Sequence, residues 1–205
     1  MRVEVQSATP NPMDVISLAA GVCFGKRNID HKRVGRCYGM GHMSVFEHAS
    51  ITFLIEGVSR ACMAQLTRHR LASFCVESQR YCRIDVDCDD WYVMPPCFGS
   101  KEEAEYYYSL EGWFMSEMKK AAINYEDAMA DGVKPEDARY LLPEATKTNL
   151  VLTCNVRELF HILDMRLDKA AQWEIRNLAK AMLDAAMEAD EQWCSLMCLH
   201  EDGEL

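Results

Sequence analysis

The sequence predicts an α/β (α+β) fold in which strands separate longer helical segments. Two observations indicate it. Short runs of β-branched and aromatic residues recur along the chain, and between them apolar residues repeat every three or four positions. The chain has 205 residues, of which 49% are hydrophobic, so it can bury a substantial core. This length fits a single domain, residues 1–205.

Four segments have the composition of strands. Valine alternates with polar residues near the N-terminus, and the other three segments concentrate β-branched, aromatic or aliphatic side chains. The predicted strands are residues 2–6, 51–55, 91–94 and 150–153. The third of them ends at Pro95-Pro96, because proline cannot continue a strand ladder.

Six segments carry helical signals. Prolines bound one of them, Asn155 has the pattern of an N-cap, and Ser100 with Glu103 forms a capping box before the longest apolar stripe. The predicted helices are residues 14–24, 59–67, 100–131, 135–142, 155–163 and 169–199. Residues 28–41 are basic and contain glycine, so we predict a loop there.

Composition excludes several classes of function. A net charge of −10 argues against a surface that coats nucleic acid, which needs a broad basic footprint. No apolar run reaches the roughly 20 residues that span a bilayer. The first residues lack the layout of a signal peptide. We therefore expect a cytoplasmic protein with no nucleic-acid or membrane partner.

The ten cysteines include no CxxC pair. Cys194, Cys198 and His200 come nearest to a metal-ligand cluster, but a structural zinc site needs four convergent ligands, so we expect no metal. Three further cysteines lie in apolar segments and are predicted to be small core residues: Cys23, Cys62 and Cys154.

Cations concentrate in one segment of this acidic chain, residues 68–81. Three arginines, Arg68, Arg70 and Arg80, lie there with His69, beside hydroxyl groups and aliphatic side chains. Guanidinium groups bind phosphate bidentately, which lysine cannot match, so the segment predicts a site for a phosphorylated small molecule. The alternative is a solvated turn with surface ion pairs.

The segment resembles the signature of flavin-dependent thymidylate synthases (the ThyX family): R-H-R, seven residues, then S-x-R-Y ending at Tyr81. Three further segments are similar to the family, in the same order along the chain. They are His42-x-Ser44-x-Phe46-Glu47-His48, then Ala138-Arg139-x-x-Leu142-Pro143, and finally Asn155-x-Arg157 with His161, Arg166 and Gln172-Trp173-Glu174. From the residues alone, His42 and His48 could equally be structural histidines, and Arg139 could form an ordinary surface ion pair with Glu136.

The resemblance implies a fold, an assembly and a reaction. The fold is a central mixed or antiparallel β-sheet flanked by long helices, and the assembly is a homotetramer with active sites at subunit interfaces. The reaction is the methylation of deoxyuridine monophosphate (dUMP) to thymidine monophosphate (dTMP). Methylenetetrahydrofolate, as the 5,10-methylene derivative, would donate the one-carbon unit and NADPH would reduce bound FAD, while the protein supplies orientation and charge.

The resemblance also assigns roles to individual residues. FAD contacts are implied for Ser44, Arg68, His69, Arg70, Val76, Asn155, Arg157 and His161. Nucleotide contacts are implied for Gln65, Arg68, Val76, Glu77, Ser78, Gln79, Arg80, Arg139 and Arg166, with Arg139 reaching the phosphate held by a neighbouring subunit. His42 and Tyr81 would lie near the folate.

Arg166 is the implied catalytic residue, since in the family it favours ionisation at N3 of the pyrimidine so that C5 becomes nucleophilic. A permanently charged guanidinium stabilises a delocalised anion without losing its own proton. Ser78 has no evident base, so we expect it to contact the nucleotide and expect no enzyme nucleophile. Cys75-Val76 stands where many members have Asn-Glu, so side-chain contacts made there do not carry over.

Two rival functions remain open at this stage. An FAD oxidoreductase on the same scaffold would oxidise NADPH without any dependence on dUMP. A non-catalytic nucleotide-binding module would bind the phosphate and release it unchanged, and the purified protein would be colourless.

Overall fold

The computed structural model describes residues 1–86, 88, 90–99 and 109–203. At its centre is a four-stranded antiparallel sheet with the strand order β1-β2-β4-β3. Its strands are β1 (Arg2–Ala8), β2 (Ser50–Ser59), β3 (Ser73–Val76) and β4 (Lys147–Asn155). The last strand in the chain is therefore inserted between the second and the third.

Eight α-helices and two 3-10 helices accompany the sheet in the described part of the chain. The α-helices are α1 (Pro12–Val22), α2 (His31–Gly39), α3 (Arg60–Leu66), α4 (Leu110–Ala130), α5 (Pro135–Ala138), α6 (Val156–Leu167), α7 (Trp173–Ala189) and α8 (Glu191–Asp202). The 3-10 helices are Met43–His48 and Arg139–Leu141. The mixed α and β class predicted from the sequence is confirmed. No helix among these described residues is long and apolar enough to cross a membrane.

The chain divides into two compact units. The first unit consists of Met1–Glu56, Gln65–Cys75 and Leu150–Leu205, and the second of Gly57–Ala64 and Val76–Asn149. The organisation of residues 1–205 as a single domain stays a prediction.

The first unit buries one face of its sheet under helices. Strands β1 and β2 pair with Val3 opposite Ile55 and Val5 opposite Phe53, and a bulge follows Val5. Helix α7 packs on β1, on α6 and on α8. The concentration of β-branched, aromatic and aliphatic residues predicted β2 and β4 correctly, and burial alternates along both strands.

The second unit has a smaller core built on α4. Phe114 and Met118 of that helix are buried with Trp91, and the ring of Phe98 stacks on Phe114 with 4.7 Å between centroids. Ser109 caps the helix by accepting a hydrogen bond from the Gly112 amide at 3.0 Å. The predicted capping box at Ser100 and Glu103 lies outside the described residues.

Two secondary-structure predictions, one of a loop and one of a strand, were wrong. Residues 28–41 were predicted to be a loop, but they contain α2, whose Val34 and Cys37 are buried and whose Arg33 donates to the Ser17 carbonyl at 2.8 Å. Only two apolar residues at helical spacing, Val34 and Cys37, mark this helix, and the basic residues around them favoured a loop. Residues 91–94 form only an isolated bridge, Tyr92 to Thr146, because the pair of prolines ends the pairing. The strand β3 was not predicted.

The cysteine predictions had a mixed outcome. Cys62 and Cys154 are buried as predicted, whereas the prediction for Cys23 was wrong because it follows α1 at the surface. His200 accepts or donates a hydrogen bond with the Tyr38 hydroxyl at 3.1 Å, and its ring stacks on Phe160. This histidine is therefore packed against aromatic side chains of the first unit.

The predicted single helix 169–199 is in fact two helices separated at Asp190. This residue has an extended backbone, with φ −164° and ψ 173°, and its carboxylate accepts from the Trp193 amide at 2.8 Å. It thus ends α7 and caps α8.

Replacing Asp190 with alanine is expected to lower the free energy of unfolding by about 1 kcal/mol, the usual cost of losing an N-cap. Urea denaturation would measure the change. Asp184→Ala, an exposed acid in the interior of α7, is the matched control and should stay within about 0.5 kcal/mol of the parent. Equal effects of the two substitutions would contradict the capping role.

Candidate functional site

The start of α6 presents three of the predicted residues in the first unit. Asn155 caps the helix, its side-chain oxygen accepting from the Glu158 amide at 2.9 Å, so the predicted N-cap is confirmed. Arg157 and His161 follow one turn apart on the exposed face of the helix. Arg157 donates to the Glu47 carboxylate at 2.6 Å. That pair ties α6 to the 3-10 helix on which Ser44 is also exposed, with His42 just before it.

The far end of α6 carries Arg166, which is held by the end of α3 and by the segment that follows it. Its Nε donates to Nε2 of His69 at 2.9 Å, and one terminal nitrogen donates to the Gln65 carbonyl at 3.0 Å. Two bonds to a planar guanidinium fix the orientation of its plane. Arg166 is half-buried, so its position combines a fixed direction with partial exposure.

The bond to Arg166 defines the protonation state of His69. Because Nε of arginine is always a donor, Nε2 must be the acceptor, and the ring proton must sit on Nδ1. Burial, the charge of Arg166 and the neighbouring imidazole of His161 together lower the pKa of His69 from 6.5 to about 4. The ring is 4% exposed and is neutral at physiological pH.

Glu158, which the sequence did not predict, completes this cluster. The carboxylate is 3% exposed, and one of its oxygens lies 3.7 Å from Nδ1 of His69. Burial raises the pKa of Glu158, and His161 and Arg157 oppose that rise. The rings of His69 and His161 meet edge to face with centroids 5.4 Å apart. Arg68 and Arg70 flank His69 and are both exposed.

The depressed pKa of His69 predicts acid sensitivity. In the unfolded chain the imidazole of His69 binds a proton with a pKa near 6.5, whereas in the folded chain it does so with a pKa of about 4. The free energy of unfolding therefore has its full value above pH 6.5 and decreases as the pH falls towards 4. A shift of this size corresponds to about 3 kcal/mol of unfolding free energy.

Urea denaturation between pH 7.5 and pH 4.5 would measure this loss, and His69→Gln should show a smaller one. His48→Gln, at an exposed histidine, is the control. The same pH dependence in the parent protein and in His69→Gln would contradict the assignment.

In the second unit, the residues after β3 are anchored to β4. The Glu77 amide donates to the Asn149 carbonyl at 2.9 Å, and the Glu77 carboxylate accepts from the Asn149 side chain at 2.7 Å. Arg60 donates to the Glu77 carbonyl at 3.0 Å. The Ser78 hydroxyl accepts from the Arg80 amide at 3.3 Å. This network fixes the backbone that carries the serine, glutamine and arginine of the signature.

Arg80 and Arg139 are both tied to Glu136. Arg80 forms an ion pair with the Glu136 carboxylate, with nitrogen–oxygen distances of 2.9 and 3.0 Å, and lies over the ring of Tyr81. Arg139 donates instead to the Glu136 backbone carbonyl at 2.9 Å. The surface ion pair with Glu136, which was the alternative role for Arg139, is therefore made by Arg80. Tyr81 is 80% exposed.

A cavity of about 410 Å³ in the second unit brings two of the arginines to one place. Arg60, Gln79 and Arg139 line it, with Tyr140, Pro143 and Glu144. Nε of Arg60 is buried and has no hydrogen-bond partner among the described residues. Burial lowers the pKa of Arg60; Glu77 opposes the shift and the Arg139 cation adds to it. Two guanidinium groups facing one cavity suit a phosphate-sized anion.

The structure groups the predicted residues by unit. The first unit holds His42, Ser44, Gln65, Arg68, His69, Arg70, Asn155, Arg157, His161 and Arg166; the second holds Val76, Glu77, Ser78, Gln79, Arg80, Tyr81 and Arg139. Sequence reasoning missed Arg60 and Glu158. The sequence offered one signal for each of them: an ionisable residue in the first turn of a helix, followed directly by apolar residues.

The whole chain is similar to proteins of one family. Residues 4–190 match the family model described as Thymidylate synthase complementing protein. The chain is 43% identical to the flavin-dependent thymidylate synthase of Halobacterium salinarum, over 100% of this chain and 96% of that protein. It is 37% identical to the flavin-dependent thymidylate synthase of Pyrococcus furiosus, over 93% of this chain and 81% of that protein.

Solved structures agree with these sequence matches. A crystal structure of ThyX from Helicobacter pylori with FAD and dUMP superposes with a TM-score of 0.75 and 26% identity, over 98% of this chain and 99% of that one. A second crystal structure of the same enzyme with the same ligands gives a TM-score of 0.71 and 27% identity, over 90% and 93%. The fold is thus shared along nearly the full length of both proteins.

Proposed function

Because the chain belongs to the family of flavin-dependent thymidylate synthases, we propose that it is an enzyme that methylates dUMP to dTMP with bound FAD. The observation that carries this proposal is the match along nearly the whole chain, joined to a family signature whose arginines the fold holds in defined places. The relatives' names and their FAD and dUMP complexes support the cofactor and the substrate.

The donor set of the first unit fits FAD. Arg157 and His161 share one exposed helix face, and Arg68 and Arg70 add two exposed cations beside a neutral histidine. Such groups suit a pyrophosphate and a polar ring. We assign FAD contacts to seven residues of this unit, Ser44, Arg68, His69, Arg70, Asn155, Arg157 and His161, and to Val76, which belongs to the second unit. When bound, FAD supplies the reducing equivalents of the reaction.

The second unit supplies the groups proposed for the nucleotide phosphate. Arg80 and Arg139 would bind it, with Ser78 and Gln79 donating hydrogen bonds and Glu77 fixing their backbone. Gln65, Arg68 and Val76 are further proposed nucleotide contacts. Arg80 would exchange Glu136 for the phosphate, since a dianion is the stronger partner. The cavity shared by Arg139 and Gln79 supports this arrangement.

Arg166 is the proposed catalytic residue. Its guanidinium, oriented by His69 and the Gln65 carbonyl, would stabilise negative charge at N3 of the uracil ring and so make C5 nucleophilic. Arginine keeps its proton, so the positive charge persists through the reaction. No carboxylate or imidazole in the described chain hydrogen-bonds the Ser78 hydroxyl, which supports a mechanism without an enzyme nucleophile.

Three further parts of the proposal rest on the family. Methylenetetrahydrofolate would donate the one-carbon unit near His42 and Tyr81, which are both exposed. NADPH would be the reductant. The enzyme would act as a homotetramer with active sites at subunit interfaces, and a cytoplasmic location stays a prediction of the sequence.

The test is to incubate the purified protein with dUMP, methylenetetrahydrofolate, NADPH and FAD, and to measure dTMP. Formation of dTMP that requires all four compounds is the expected result. NADPH oxidation that ignores dUMP would identify an FAD oxidoreductase instead. A colourless protein that binds dUMP and forms no product would identify a binding module.

A further inference from the structure

A buried carboxylate stands behind the residue pair that holds the catalytic arginine. Glu158 lies in the first turn of α6, Arg166 lies at the end of the same helix, and the ring of His69 bonds the arginine on one side and faces the glutamate on the other. We propose that Glu158 is a positioning residue that selects the tautomer of His69 and thereby the orientation of Arg166. This inference rests on the proposed function.

The ring nitrogen of His69 that faces Arg166 accepts a hydrogen bond. A neutral imidazole has one acceptor nitrogen and one donor nitrogen. Nε2 can accept from Arg166 at 2.9 Å only if the proton is on Nδ1. If the proton moved to Nε2, two donors would face each other and the arginine would lose this contact.

The other ring nitrogen of His69 faces Glu158. Nδ1 of His69 is buried and has no hydrogen-bond partner among the described residues, yet a Glu158 oxygen lies 3.7 Å away. A carboxylate accepts and does not donate when ionised, so it favours the proton on Nδ1. A shift of less than about 1 Å would bring the two atoms to hydrogen-bond distance.

Burial raises the pKa of Glu158, while His161 and Arg157, on the same helix, oppose that rise and favour the charged form. From β4 it faces Cys154, whose thiol has a pKa raised by burial to about 12 and therefore carries no competing charge. The imidazole of His69, 3.7 Å from the carboxylate, is thus in position to use it. In metal sites, carboxylate–histidine pairs fix the tautomer and the orientation of the ring, and mutating the carboxylate there costs about 10- to 100-fold in metal affinity or activity.

Nitrogen NMR of protein labelled with ¹⁵N-histidine tests the tautomer directly and needs no substrate. Six histidines give six pairs of ring-nitrogen signals, one from Nδ1 and one from Nε2, and the pair lost in His69→Gln identifies residue 69. In Arg166→Ala the arginine donor is gone, so the tautomer depends on Glu158 alone. We expect the proton to remain on Nδ1 in this variant, and to leave it in the double variant Arg166→Ala with Glu158→Leu.

Loss of the Nδ1 proton in Arg166→Ala would overturn the inference, as would its retention in the double variant. The first measurement alone decides the matter if the double variant does not fold. These readouts do not depend on thymidylate synthesis. A wild-type protein that forms no dTMP but gives the expected tautomers would therefore refute the proposed function and leave the histidine assignment intact.

Kinetics gives a second readout in the active enzyme. Glu158→Leu should lower kcat by about 10- to 100-fold with little change in KM for dUMP, whereas Glu158→Gln keeps an acceptor oxygen and should restore most of the rate. Asp164→Asn removes an exposed carboxylate from the same helix and should leave the rate unchanged. Equal losses in Glu158→Leu and Glu158→Gln would overturn the positioning role.

Discussion

Replacing Arg166 with alanine is expected to lower kcat for dTMP formation by about 100- to 1,000-fold, the usual cost of removing one preorganised donor from a transition state. The reason is geometric as well as electrostatic. Two bonds, to the His69 ring and to the Gln65 carbonyl, fix the guanidinium before substrate arrives, so no reorganisation is needed when charge develops on the pyrimidine. Single-turnover formation of dTMP would measure the loss.

Two further variants separate charge from geometry. Arg166→Lys keeps the charge but lacks the planar fork, so it cannot bond His69 and Gln65 while facing a substrate, and it should remain strongly impaired. Arg176→Ala removes a cation that bonds only the Lys169 carbonyl in the described chain, and should retain full turnover. The flavin absorbance of Arg166→Ala should be normal. Near-normal turnover in that variant would remove Arg166 from the catalytic role.

The sequence predicted a helix or strand correctly where the residues of that element alone contained the signal. The N-cap pattern at Asn155 predicted the start of α6 correctly, and β-branched, aromatic and aliphatic composition predicted β2 and β4. The failures depend on partners distant in the chain. Helix α2 is stabilised by Arg33 reaching the Ser17 carbonyl, and β3 exists because it joins the edge of β4. Neither interaction has a local pattern.

For the candidate site, too, the sequence predicted local features but not contacts between distant residues. The signature pointed to the arginine-rich segment, but it could not show that Arg80 is paired with Glu136, or that Arg139 shares a cavity with Arg60. Glu158 belongs to a helix whose acidic first turn is ordinary for the N-terminal dipole. Its relation to His69 arises only from the folded chain, because about ninety residues separate the two.

Replacing both arginines that line the 410 Å³ cavity, Arg60 and Arg139, with alanine should weaken the binding of dUMP by about 100-fold or more. Hydrogen bonds to charged groups contribute about 1.5–3 kcal/mol each, so Arg139→Ala alone should weaken binding by about 10- to 100-fold. Arg60→Ala should add to this, since its buried Nε lacks a partner in the described chain and can serve an incoming anion.

Isothermal titration with dUMP and with deoxyuridine assigns the effect to the phosphate. Both variants should lose affinity for dUMP while their affinity for deoxyuridine, which has no phosphate, stays the same. Arg83→Ala is the matched control, because this exposed arginine of the same unit pairs with Glu126 and lines a different depression. If deoxyuridine and dUMP lose affinity equally, the two arginines support the local fold. A loss confined to dUMP places the phosphate at this cavity.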